Sequence, residues 1–129
     1  MTRYEKGARG ERELLEKFRS AGYSVVRSAG SGVNSISPDI LIVRKSGGMA
    51  FECKVWDKSS ISIDPEKFCL LKEWETNTNF QTYIAWRMNG LGWFFIRLDE
   101  LTKGKNYTVT RKRAIEINRR LENLLSGEA

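Results

Sequence analysis

Histidine is absent from all 129 residues. That absence excludes Ser-His-Asp triads, imidazole general bases and histidine-bearing zinc sites. Cysteine is scarce: only Cys53 and Cys69 occur, with neither the close spacing of a redox or zinc motif nor the number a disulfide framework needs. Cys53 sits in an apolar run, so its side chain is expected in the packing, and a reducing, intracellular setting fits. No apolar run approaches the ~20 residues of a membrane-spanning helix, and the first residues are charged rather than signal-like. We therefore expect a soluble, cytoplasmic protein with no membrane partner. With no internal repeat, low-complexity tract or linker, one domain over residues 1–129 is expected.

Positive charge is in surplus. Lysine and arginine number 22 against 16 acidic residues, a formal net charge of +6 and a pI near 9.5. Such a balance favours a polyanionic partner, nucleic acid being the commonest. A solvated basic surface is the alternative.

The chemistry concentrates in residues 37–56. Ser37-Pro38-Asp39-Ile40-Leu41-Ile42-Val43 and Met49-Ala50-Phe51-Glu52-Cys53-Lys54-Val55-Trp56 read as two buried strands joined across Lys45-Ser46-Gly47-Gly48. Strand residues two apart share a face. Glu52 and Lys54 therefore lie on one face, and Phe51, Cys53 and Val55 on the other. A two-residue Ser46-Gly47 loop would set Asp39 opposite Lys54, with Glu52 diagonal at about 7–8 Å. A Gly47-Gly48 loop would set Trp56 opposite Asp39 and keep the three polar groups on one face. Two carboxylates and an amine on an apolar hairpin are costly unless paired or bound. Hard divalent cations, Mg²⁺ above all, take such oxygen ligands and draw on substrate phosphate for the rest. A lysine beside the metal orients or deprotonates water, or neutralises charge developing on phosphorus. The competing reading is a half-exposed hairpin with a solvated Glu-x-Lys.

Helical periodicity runs from Tyr4 to Ala21, with Leu14, Leu15 and Phe18 on one side and Gly22 as the stop. Glu11, one turn before Leu15, either faces the sheet edge or joins the solvated face. Tyr23–Arg27 reads as a strand, followed by a Gly/Ser/Asn loop over 28–35 that suits close approach to phosphate or serves as a connector. Residues 57–64 read as polar and mobile. Asp64-Pro65 opens a helix to about Asn77, whose wide apolar arc offers Phe68 and Leu71 as candidates for a dimer contact. Gln81–Arg87 and Gly92–Arg97 read as another hairpin, and Arg111–Leu125 as a C-terminal helix headed by the basic Arg111-Lys112-Arg113. All four tryptophans fall in apolar patterns and are expected in the core rather than as base-stacking platforms.

Pro38-Asp39, twelve intervening residues and then Glu52-Cys53-Lys54 resemble the PD-(D/E)xK signature of restriction-endonuclease-like nucleases. The likeness extends through Lys6-Gly7-Ala8, Glu11-Arg12-Glu13-Leu14, Gly22–Ser31 and, more weakly, Gly92-Trp93-Phe94-Phe95-Ile96. In this wider pattern the sequence is similar to archaeal Holliday junction resolvases of the Hjc type. The resemblance implies a restriction-endonuclease-like α/β fold, a mixed five-stranded sheet flanked by helices in the order α-β-β-β-α-β-β-α. It implies a homodimeric, Mg²⁺-dependent endonuclease, Mn²⁺ substituting, that cuts four-way DNA junctions symmetrically in recombination and repair, with other recombination proteins as further partners. Its metal-binding acids fall on Glu11, Asp39 and Glu52, with the Cys53 carbonyl as a further ligand, and its catalytic lysine falls on Lys54. Arg12, Arg27 and Ser31, with Lys6 and Arg9, take the DNA-contacting positions, and Ser31 also joins the catalytic set. The helix opening Asp64-Pro65-Glu66-Lys67 departs from the family pattern, which leaves roles on it unassigned. Two alternatives stand beside this reading: another PD-(D/E)xK endonuclease acting on duplex, and a non-catalytic DNA-binding protein.

Overall fold

The computed structural model describes residues 3–28 and 36–127, with side chains from residue 7 onward. Ser31 and the side chain of Lys6 lie outside these described residues.

Helix α1 (Arg3–Ser20) leads into strands β1 (Ser24–Arg27), β2 (Ile40–Arg44), β3 (Gly47–Val55) and β4 (Ser60–Ile63). Helix α2 (Pro65–Thr78), β5 (Gln81–Met88) and β6 (Gly92–Arg97) follow, then a 3₁₀ turn (Leu98–Glu100). The chain ends in β7 (Thr102–Lys103), β8 (Tyr107–Thr110), α3 (Arg111–Ile117) and α4 (Leu121–Ser126). Five strands form the central sheet in the order β1-β2-β3-β5-β6. β3 and β5 run parallel, and the other neighbours antiparallel. This is the expected mixed α/β architecture.

The amphipathic stripe of α1 packs on one face. Leu14 and Phe18 are buried against Ile40, Ile42, Phe51, Tyr83 and Phe95. Gly10 lets this helix come close, because a Cβ there would stand 2.9 Å from Val55 Cγ2. The opposite face buries Ile84, Trp86, Met88, Phe94 and Ile96 under Leu71 of α2. α2 starts where the sequence says it should: the Asp64 carboxylate accepts from the Lys67 N–H at 2.8 Å and Pro65 opens the first turn.

Several expectations are corrected. Residues 60–63 form β4, which pairs with β8 in a second, three-stranded sheet, and its alternating Ile61 and Ile63 are buried. The C-terminal helix is two helices, broken at Asn118 with φ 50°. The break is tertiary: the Arg119 carbonyl accepts from Phe95 N–H at 2.9 Å, and its guanidinium binds Glu100. Trp86 and Trp93 are buried as expected, but Trp56 and Trp74 are only half-buried. Leu71 is buried in the chain's own core, which removes it as a dimer contact, whereas Phe68 stacks on Tyr107 at 3.6 Å between centroids and stays partly exposed.

Candidate active site

The β2–β3 hairpin turns through Lys45-Ser46, neither of the two loops the sequence offered. Arg44 pairs with Gly47, Val43 with Gly48 and Ile40 with Phe51. A Cβ on Gly48 would lie 2.5 Å from the Ile42 carbonyl and 2.8 Å from the Phe80 ring. Gly48 is thereby committed to the strand pair, and the loop falls one residue earlier. Shifting the loop by one moves the pairing by two, so strand parity survives. Carried one residue past Ile40–Phe51, this register sets Asp39 across from Glu52 rather than Lys54. Strand parity still puts Glu52 and Lys54 on one face, while the Asp39 carboxylate gathers with Glu11 and Cys53.

Asp39 is held by three bonds. Its N–H donates to the Phe51 carbonyl at 2.9 Å, its own carbonyl accepts from Ser28 N–H at 2.8 Å, and Oδ2 accepts from Cys53 N–H at 2.8 Å. The carboxylate is thus drawn over the open end of the hairpin, between the two faces of the sheet. There it meets Glu11, which α1 directs inward. Ligand atoms of Glu11, Asp39 and Cys53 lie within 4.8 Å of one another. Glu11 is anchored from the other side by Arg27 of β1, whose Nε donates to Glu11 Oε1 at 2.8 Å. The sequence left Glu11 between two faces; the structure sets it at the sheet edge.

Glu52 lies on the α2 face with only 8% of its surface exposed. Its Oε1 is buried with no hydrogen-bond partner among the described residues. The nearest cation is the Lys67 ammonium at 3.4 Å, without the alignment a hydrogen bond needs. Burial, then the Asp39 charge, raises the Glu52 pKa from 4.5 to about 7, opposed by Lys67 and Lys54. Lys54 is half-buried, its ammonium 5.5 Å from the centre of the Trp56 ring. Arg9 and Arg12 are exposed on α1, and among the described residues no ion pair ties either of them to the carboxylates.

Lys67 escaped the sequence reading. Its Nζ donates to the Ser37 carbonyl at 3.1 Å while facing Glu52, and Trp74 Nε1 donates to the Ile36 carbonyl at 2.8 Å. One stripe of α2 thus fastens the segment leading into Asp39. The available signal was spacing, since Lys67, Leu71 and Trp74 fall at i, i+4 and i+7.

The atoms that come together are the carboxylates of Glu11 and Asp39 with the Cys53 sulfur, and Glu52, on the other face, is not part of this cluster. Carboxylate oxygens suit a hard divalent cation. The Cys53 side chain does not suit it. Burial and the nearby carboxylates push its thiol well above the usual range, so it stays protonated.

The fold has nuclease relatives. The solved structure of Archaeoglobus fulgidus Hjc, described as a Holliday junction resolvase from an archaeal hyperthermophile, matches with a TM-score of 0.82 at 21% identity, over 94% of this chain and 96% of that one. The bacterial homing endonuclease I-Ssp6803I matches at 0.59 and 12% identity, over 98% and 94%. The architecture is therefore the restriction-endonuclease-like α/β fold. Within it, the family model for the archaeal Holliday junction resolvase (Hjc) matches residues 2–128. The crossover junction endodeoxyribonuclease Hjc of Methanocaldococcus jannaschii is 34% identical over 118 residues, 90% of this chain and 85% of the relative. The Archaeoglobus fulgidus protein of that name is 27% identical over 106 residues, 81% and 78%. The chain belongs to the archaeal Holliday junction resolvase (Hjc) family.

Proposed function

We propose that this protein is a structure-selective endonuclease that resolves four-way DNA junctions by paired, symmetric, metal-dependent hydrolysis of phosphodiesters. The observation that carries the chemistry is the meeting of the Glu11 and Asp39 carboxylates, with Glu52 buried nearby and its Oε1, 3.4 Å from the Lys67 ammonium, lacking a hydrogen-bond partner among the described residues. Glu11, Asp39 and Glu52 would hold a divalent cation, Mg²⁺ or in its place Mn²⁺, with the Cys53 carbonyl as a further candidate. When bound, such an ion polarises the scissile phosphate and activates water.

The chain's own residues supply the rest. Lys54, kept on the carboxylate face by strand parity, orients water or neutralises charge on the phosphate. Arg27 fixes the Glu11 carboxylate and presents a guanidinium beside it. Lys67 balances Glu52 and holds the backbone at Ser37, which positions Asp39. Arg9 and Arg12 add positive charge for DNA phosphates, as do Lys6 and Ser31 in this reading. Two matched cuts need two sites related by a two-fold axis, which a homodimer supplies.

The test is cleavage of a labelled, immobile four-way junction with Mg²⁺, beside a duplex of the same arm sequence. Paired symmetric nicks in the junction alone are expected. Equal cutting of both substrates would replace the resolvase by a general duplex nuclease. Binding without any cutting would leave a DNA-binding protein.

A further inference from the structure

The second sheet has no part in the proposed metal site, yet it carries charge up to its edge. Trp56 directly follows β3, the strand that bears Lys54, and Lys58 comes two residues later. Both ammonium groups gather around the same indole, Lys54 at 5.5 Å and Lys58 at 4.3 Å from the ring centroid. Cation–π attraction holds each one, while the two like charges repel each other. An anion beside the ring relieves that repulsion.

Arg111, Lys112 and Arg113 arrive at the same place from a distant part of the chain. Ser60 pairs with Thr110, and Arg111 N–H donates to the Ser59 carbonyl at 2.7 Å. The start of α3 is therefore fixed one residue from Lys58. Lys58, Lys112 and Arg113 are exposed, and none of the four cations has a carboxylate within ion-pair distance among the described residues. Asp57, the acid in this segment, accepts from Asn89 N–H at 2.8 Å. Glu116, further along α3, is exposed and makes no ion pair with them. Elsewhere the chain neutralises comparable cations, as at Arg87 with Glu13 and Lys72 with Glu75. A row of unneutralised cations starting at the proposed catalytic lysine suits a phosphate backbone.

We propose that Lys58 and the Arg111–Arg113 segment form a phosphate track that grips the DNA arm leaving the active site over Trp56. The inference rests on the DNA-cleaving reading above, because the track is continuous with Lys54. The small sheet then has a role of its own, which is to hold α3 against the β3–β4 connection so that the charges line up.

Two triple variants of equal charge put this to the test. Lys58→Ala, Lys112→Ala and Arg113→Ala remove the track. Lys17→Ala, Arg19→Ala and Lys45→Ala remove three exposed cations from the last turn of α1 and the β2–β3 turn, away from α3 in sequence and outside the second sheet. Binding to the four-way junction and to its duplex arm is measured in Ca²⁺ across a salt series, with thermal melting as the folding check. The track variant should bind both DNAs on the order of tenfold more weakly, with a salt slope shallower by about two to three. The control should keep its slope near wild type. Equal losses in both variants, or an unchanged slope in the track variant, would overturn the proposal. Should wild type bind junction and duplex alike, junction selectivity fails, and the duplex data alone still decide for or against the track.

Discussion

Two largely buried carboxylates in this chain face basic side chains, and they differ in every respect that matters. Glu100 is clasped. Arg119 binds it with both ends of its guanidinium, at 2.6 and 3.1 Å, and Arg97 N–H donates at 2.7 Å. Burial works against its charge, but these bonds and the Arg119 charge prevail, so its pKa falls below the ordinary value. Glu52 is the more deeply buried of the two, and its Oε1 meets an ammonium at 3.4 Å but has no hydrogen-bond partner among the described residues. There burial wins, and the pKa rises to about 7. A planar fork satisfies a carboxylate, whereas a point charge beside it leaves bonding capacity over. Glu100 ties Arg119 and the broken C-terminal helix to β6. Glu52 is left able to bind something else.

Exchanging each carboxylate for its amide separates these roles most sharply. Glu52→Gln should lower junction cleavage about a thousandfold or more, since an ion's electrostatic help amounts to several kcal/mol. Junction binding should persist. Glu100→Gln should leave cleavage by the folded protein intact and cost about 2 kcal/mol of stability, because charged hydrogen bonds are lost. Single-turnover cleavage and denaturant melts read the two effects. Swapped outcomes would reverse the assignment of site and clasp.

Stability against pH is the next largest effect. Folded Glu52 holds its proton up to about 7, whereas the unfolded chain releases it near 4.5. Between those values the native state binds more protons, so stability falls as pH rises through the window, by about 3 kcal/mol without metal. Mg²⁺ should recover more stability at pH 8 than at pH 5.5, since it takes the ionised form. In Glu52→Gln this part of the slope should vanish; melts in EDTA at both pH values would show whether it persists.

Lys67→Met gives a smaller effect. Removing the ammonium leaves Glu52 opposed by Lys54 alone, so the rise of cleavage with pH should move upward. A pH–rate profile that coincides with wild type would mean Lys67 is only a fastener for Ser37.

The contrast between the two carboxylates was half legible in the sequence. Glu52 and Lys54 could be assigned to one face because strand parity needs only local spacing, and parity tolerated a hairpin loop misplaced by one residue. The choice of loop was illegible, because what commits Gly48 is the ring of Phe80 from beyond α2. Glu100–Arg119 was invisible for a related reason. A helical pattern from Arg111 to Leu125 gave no sign that Phe95 would claim the Arg119 carbonyl. Ser60-Ile61-Ser62-Ile63 read as part of a polar, mobile stretch because what makes it a strand, its partner Tyr107–Thr110, lies more than forty residues on. Lys67 followed the same rule, since its meaning depends on where α2 lands.

Mn²⁺ binding, followed by electron paramagnetic resonance at pH 7.5 in wild type and Glu52→Gln without DNA, tests the central claim most directly. Saturable binding in wild type and a large loss in the variant are the predicted result. Equal binding by both proteins would show that the unpartnered oxygen of Glu52 is not where the ion sits.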